Sequence, residues 1–311
     1  MATGEAARND PRSSAAMTDV TSFDGTRLAL NTWGPADAPI VVLVHGLGLS
    51  SDSWGKVPDL LAAEHRVVAY DLRGHAQSGD ARSGDYSMEA HAKDLDAVLR
   101  AVVPDGSAAV VVGNSLGGGI VVARAHHCGN DRVAGAVFAG SGGSTVTFPG
   151  FPARGLPAPV QAGLRLGWMK VLRTVVLVGK RIRSLEVLSD RLIRQFAFTS
   201  DAPRELVAGV REDFLNSRPR ALARTTMASI SHDGSRMAPA LTVPTLVIHG
   251  SADPEVSEEE LRKLMGALPD GKLLSLPEEG HMLPLTRPEL VAEQVAGWVA
   301  HVLRAEDPGG G

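Results

Sequence analysis

Cysteine is nearly absent: Cys128 stands alone in 311 residues, which excludes a disulfide within the chain and suits a reducing compartment. No HExxH, CxxC or paired-histidine spacing occurs, so neither a metal site nor a cofactor is expected. Aromatic residues make up only 4% of the chain, and the formal net charge is −4. Without a basic excess or a recognition motif, nucleic-acid binding is not expected. Long uncharged apolar runs are also missing. One apolar stretch, Leu164 to Val178, is broken by Arg165, Lys170 and Arg173, so it is not a transmembrane span. Packing with basic stems laid along a helix explains it better than membrane-surface contact. Residues 1–18 are small and polar and lack the apolar core of a secretory signal; they read as a disordered tail of a cytoplasmic protein. A second loose end is expected over 305–311, where Pro308 precedes three glycines.

Hydrophobic residues are plentiful, at 44%, and so are glycines, at 34. A chain of this size can bury a large core. Short valine-rich runs alternate with helical patterns, which implies an α/β fold with a mostly parallel sheet covered on both faces. One junction is especially informative. Ala108 to Val112 reads as a buried strand, Ile120 to Ala125 as a helix, and between them lies Gly113-Asn114-Ser115-Leu116-Gly117. A serine flanked by glycines at a strand-to-helix turn needs those glycines for unusual dihedrals and close backbone approach.

Two further loops follow in order. Val243 to Gly250 reads as a buried strand leading into Ser251-Ala252-Asp253, which places Asp253 just past a strand's carboxyl end. Lys272 to Leu276 is a short strand whose following loop carries His281. In this serine–acid–histidine order the chain resembles the α/β-hydrolase superfamily, and Ser115, Asp253 and His281 match its triad. The resemblance implies a nucleophile elbow at Ser115, with His281 as general base and then acid. Asp253 would hold the imidazole tautomer and stabilise the imidazolium.

Ile40 to Val44 is a strand followed by His45-Gly46-Leu47-Gly48, similar to the family's H-G-x-G turn. The resemblance assigns the oxyanion hole to the backbone N–H groups of Leu47 and Leu116, with His45, Gly46, Asn114 and Gly117 supporting the loops. Asp71-Leu72-Arg73-Gly74-His75 resembles a structural D-x-R-G-H turn of the family. The likeness runs from about Val20 to about Leu303.

The core is expected at 19–140 and 239–304, with a mostly helical cap at 141–238. Pro149 to Pro159 would link core to cap, and a helix is expected over Leu164 to Leu172. From Ser141 to Gly234 there are fourteen Lys/Arg against seven Asp/Glu, although the whole chain is acidic. A basic cap would draw an anionic acyl substrate, but a solvated helix face is the preferred explanation. The partner is therefore a small-molecule acyl substrate, anionic or lipophilic, with oligomeric state open.

The resemblance implies a serine hydrolase cleaving an ester, thioester or lactone through an acyl-enzyme. Asn114 also matches the G-N-S-x-G of carbon–carbon hydrolases, although Met282 stands where those commonly carry tryptophan. Thioesterase or cyclase activity, cofactor-free haloperoxidase or perhydrolase activity, and a ligand-binding receptor on the same fold are the alternatives. Serine rather than aspartate at the elbow argues against epoxide hydrolases and haloalkane dehalogenases.

Overall fold

The computed structural model describes residues 16–143 and 186–306, with isolated positions between 160 and 174. Eight strands form one sheet: β1 (Ala16–Thr21), β2 (Arg27–Trp33), β3 (Ile40–Val44), β4 (Arg66–Tyr70), β5 (Ala109–Asn114), β6 (Val133–Ala139), β7 (Thr245–Gly250) and β8 (Gly271–Leu276). Their order is β1-β2-β4-β3-β5-β6-β7-β8. The pairings β1–β2 and β2–β4 are antiparallel, and every pairing from β4 through β3 to β8 is parallel.

Ten helices are described: α1 (Val57–Leu61), α2 (Met88–Val102), α3 (Leu116–Cys128), α4 (Glu186–Ala197), α5 (Arg204–Asn216), α6 (Pro219–Ser231), α7 (Gly234–Met237), α8 (Glu258–Ala267), α9 (Leu283–Thr286) and α10 (Pro288–Glu306). The strands β3 and β6 are apolar at every position, yet their side chains still alternate between faces. Val42 and Val44 join the cluster containing Leu95 of α2, Ile120 of α3 and Leu264 of α8. Val41 and Leu43 join Val57 of α1 and Val295 of α10 on the opposite face. Burial on both faces is why no polar alternation appears in the sequence. Each fully buried valine or leucine contributes roughly 1.5–3 kcal/mol relative to exposure.

Local signals set the helix starts. Ser87 caps α2 by accepting from the Ala90 N–H at 3.1 Å, and Ser257 caps α8 by accepting from the Glu260 N–H at 3.3 Å. Glu258, Glu259 and Glu260 in the first turn of α8 complement its positive end.

Two expected boundaries are corrected. β1 begins at Ala16, inside the stretch expected as a tail, and Ala16, Met17 and Thr18 pair with Thr32, Asn31 and Leu30. Its side chains are mostly exposed, so backbone pairing at the sheet edge holds the strand without an apolar signal. At the other end α10 continues through Ala305 and Glu306, which were expected in the flexible C-terminal segment.

Between β6 and β7 the described residues form α4 to α7, in the region expected as a helical cap. All of 149–159, and most of the helix expected over Leu164 to Leu172, lie outside the described residues. A further cluster joins α4 and α5 to the core: Ala197, Phe198, Val207 and Val210 pack with Leu49 and Met282. Among the described residues no helix is long and apolar enough to cross a membrane.

Candidate active site

The chain leaves β5 at Asn114 and enters α3 at Leu116, so Ser115 must turn the backbone by itself. It does so at φ 50° and ψ −120°, a region that L-residues rarely occupy. Neighbouring glycines make the turn sterically possible. A Cβ at Gly113 would lie 2.7 Å from the Gly118 Cα, and one at Gly117 would stand 2.8 Å from the Val44 carbonyl carbon. Hydrogen bonds then hold the strained residue. The Ser115 N–H donates to the Gly140 carbonyl at 3.2 Å, and the Ser115 carbonyl accepts from the Ser141 hydroxyl at 2.6 Å. Asn114 ties the ends of β5 and β6 together, donating from Nδ2 to the Ala139 carbonyl at 2.7 Å.

The loop after β7 presents Asp253. Its Oδ1 accepts from the N–H groups of Glu255 at 2.8 Å and Val256 at 3.0 Å, leaving Oδ2 to accept from His281 Nδ1 at 2.8 Å. Burial raises the Asp253 pKa, but His281 and the two backbone donors outweigh it and hold the carboxyl below its ordinary value. His281 is buried at the end of the loop after β8. Burial opposes its protonation, yet Glu255 and Asp253 prevail and push its pKa up to about 9. Among the described residues Nε2 has no hydrogen-bond partner, so the link from His281 to Ser115 is not closed. The atom instead lies 3.2 Å from Glu255 Oε2.

The turn after β3 packs directly on the elbow. A Cβ at Gly46 would stand 3.1 Å from the Ser115 Cβ. His45 Nδ1 donates to the Gly46 carbonyl at 2.8 Å, and its Nε2 accepts from the Leu72 N–H at 3.0 Å. Both nitrogens are thus occupied, and burial lowers the pKa to about 4, so the ring is a neutral brace between two loops. Leu116 opens α3, so its N–H belongs to the first turn, where the helix supplies no acceptor. Leu47 is half-buried in the same turn as Gly46.

Beside these loops, Asp71 accepts from the N–H groups of Ser51 at 2.8 Å and Gln77 at 2.9 Å. Arg73 makes a buried bidentate pair with Asp94, with both bonds at 2.6 Å. Asp71 and Arg73 therefore tie different loops rather than each other.

The helices between β6 and β7 grip the same region. Ser50 donates to Asp213 Oδ2 at 2.8 Å, and the Ser217 hydroxyl donates to the Gly48 carbonyl at 3.0 Å. The Met282 N–H donates to the Ala197 carbonyl at 3.2 Å. Ser141, Asp213, Ser217 and Glu255 carry no motif, and their place at the site was not visible in the sequence. The one available signal was the closeness of Glu255 to Asp253 in the chain.

The arrangement offers a serine at a helix N-terminus and a carboxylate-oriented histidine on a loop that packs against the serine's own, which suits acyl transfer. Comparison with known proteins agrees with this architecture. A bifunctional esterase/perhydrolase from Acinetobacter calcoaceticus is 28% identical over 303 residues, covering 90% of this chain and 98% of that protein. A non-heme chloroperoxidase from Burkholderia pyrrocinia is 29% identical over 292 residues, covering 90% and 99%. A thermophilic esterase from Thermogutta terrifontis superposes with a TM-score of 0.73 at 25% identity, covering 93% of this chain and 99% of that one. The model of the alpha/beta hydrolase family matches residues 41–294, spanning the elbow, the Asp253 loop and the His281 loop. On that match and this fold, the chain belongs to the α/β-hydrolase family.

Proposed function

We propose that the protein is a serine hydrolase that cleaves carboxylic esters, thioesters or lactones through an acyl-enzyme on Ser115. The observation that carries this reading is the 2.8 Å bond from His281 Nδ1 to Asp253, beside a serine held in the strained elbow. In the reaction His281 Nε2 takes the Ser115 hydroxyl proton as Oγ attacks the acyl carbon. The negative charge then gathers on the acyl oxygen, where the Leu47 and Leu116 N–H groups receive it. The same imidazolium delivers the proton to the departing alcohol or thiol. Water, deprotonated by His281, completes the cycle. The helices α4 to α7 serve as a cap that shapes the acyl pocket and excludes water, a reading supported by their bonds to Gly48, Ser50 and Met282. A reducing, cytoplasmic setting fits the single cysteine.

Perhydrolysis is a second reading, favoured by the esterase/perhydrolase relative that spans nearly the whole chain. In it hydrogen peroxide replaces water at the acyl-enzyme and a peracid leaves.

The test is a burst assay on p-nitrophenyl esters of different chain length, with Ser115→Ala run alongside. A Ser115-dependent burst supports the acyl-enzyme, and persistence of the burst without Ser115 sinks it. Added peroxide that diverts product from carboxylic acid to peracid would support the second reading.

A further inference from the structure

His281 faces two carboxylates, and the triad accounts for only one. Asp253 occupies Nδ1 in a well-formed hydrogen bond. The other ring nitrogen, the one that must serve Ser115, lies 3.2 Å from Glu255 Oε2, although the contact is not aligned as a hydrogen bond. The Glu255 side chain is only 18% exposed, so solvent screens its charge weakly. It is held there by the turn that forms the acid's own site. Asp253 Oδ1 accepts from the Glu255 and Val256 N–H groups, which folds 253–256 into a tight loop over the imidazole.

We infer that Glu255 is a second positioning carboxylate on the catalytic histidine, which strengthens His281 as a base and confines its action to alkaline pH. The inference rests on the triad reading given above. Charge accounts for both effects. An anion beside Nε2 favours the imidazolium, so the neutral ring pulls harder on the serine proton once it exists. The same anion keeps the ring protonated at neutral pH, when it cannot accept that proton. Basicity and availability are therefore traded against each other. The upward displacement of the His281 pKa follows the same geometry, with Glu255 the largest favourable influence. Burial raises the Glu255 pKa too, His281 draws it back down and Asp253 raises it further.

Among the described residues, only Glu255 and Asp253 act on His281 through their charge. His249, at the end of β7, has its pKa lowered by burial and stays neutral at the pH in question. Glu279, on the histidine's own loop, is engaged by Arg287 Nε at 2.6 Å. Glu278 is exposed and points its N–H at Ser251 Oγ. Where α4 ends, the Ala197 carbonyl accepts the Met282 N–H, and Thr199 just beyond it lies against Gly280; both residues are uncharged. Arg194, near the end of α4, is bonded to the Ser200 and Ala202 carbonyls.

The experiment is the rate of covalent labelling by a fluorophosphonate between pH 5 and 10, in the parent, Glu255→Gln and Glu255→Asp. Labelling reports the serine–histidine pair without a known substrate. The parent should rise along an acid limb centred well above pH 7. Glu255→Gln should move that limb down by at least about one pH unit, labelling about tenfold faster at pH 7. Above the parent's limb the order should reverse, the glutamine variant being slower because its base is weaker. Glu255→Asp, which keeps the charge but shortens the side chain, should fall between them. Reversal across the pH range is something a merely structural role would not produce. Coincident limbs in folded proteins overturn the inference. If Glu255→Gln does not fold, the parent decides alone: a limb at or below the ordinary histidine value overturns it. Ser115→Ala separates the two claims. Equal labelling of that variant removes the triad reading, and the His281 titration followed by NMR in Ser115→Ala then tests Glu255 by itself.

Discussion

Gly140 and His281 touch through their backbones: the Gly140 Cα lies so near the His281 carbonyl that a Cβ would collide with its oxygen and stand 3.1 Å from its carbon. Gly140 is also at φ +61°, and its own carbonyl accepts the Ser115 N–H. One small residue therefore sets the spacing between the nucleophile's loop and the base's loop. Gly140→Ala should separate them. Expected are a loss of stability of about 2 kcal/mol or more, from the left-handed backbone and the collision, and a loss of fluorophosphonate labelling. Urea unfolding and labelling of the folded fraction check both. Unchanged labelling would mean that the loops are positioned by something else.

Ser115 pays for its position in backbone strain. Ser115→Ala should abolish turnover and leave the fold intact, because the hydroxyl is not needed to hold the turn. Ser115→Gly should unfold at higher denaturant, by about 1 kcal/mol, since glycine tolerates φ 50° without strain. Turnover in either variant would exclude Ser115 as nucleophile.

Asp253→Asn makes a sharper test of the acid than alanine does. The Glu255 and Val256 N–H groups demand an acceptor and will hold the amide oxygen. The amide NH2 must then face His281 Nδ1 and drive the proton to Nε2, the tautomer that cannot accept from serine. A fall in kcat on the order of 10⁴-fold is expected, with little change in stability. A loss below tenfold would show that the carboxylate does not orient the ring.

Asp213 gives a pH dependence with a defined sign. Burial raises its pKa to about 6, although the Ser50 hydroxyl favours the charged form. The folded state thus binds a proton more tightly than the unfolded chain. This group's contribution to stability is largest below the ordinary carboxylate value and is lost as pH rises from about 4 to about 6. Asp213→Asn removes the titration. The variant should gain thermal stability relative to the parent between pH 4.5 and pH 7.5. An offset independent of pH would contradict the buried charge.

Much of this site was legible because its chemistry is written locally. Gly113 to Gly117, set between a valine-rich strand pattern and a helical one, reads as a sharp strand-to-helix turn, Asp253 and His281 follow strands at their carboxyl ends, and His45-Gly46 follows β3 directly. The edges of the chain were not legible. β1 is held by backbone pairing, which leaves no mark on side-chain polarity.

The sequence by itself determined the fold class, the order of serine, acid and histidine, and the turns that carry them, since each depends on residues within a few positions of one another. Tertiary structure alone decided what surrounds those residues. Ser141 on the Ser115 carbonyl, Gly140 against His281, and Asp213 and Ser217 on the loop after β3 all join segments far apart in the chain. Such contacts arise only when packed strands and helices bring distant loops to one end of the sheet. Even Glu255, two positions from Asp253, meets His281 only because β7 and β8 lie side by side.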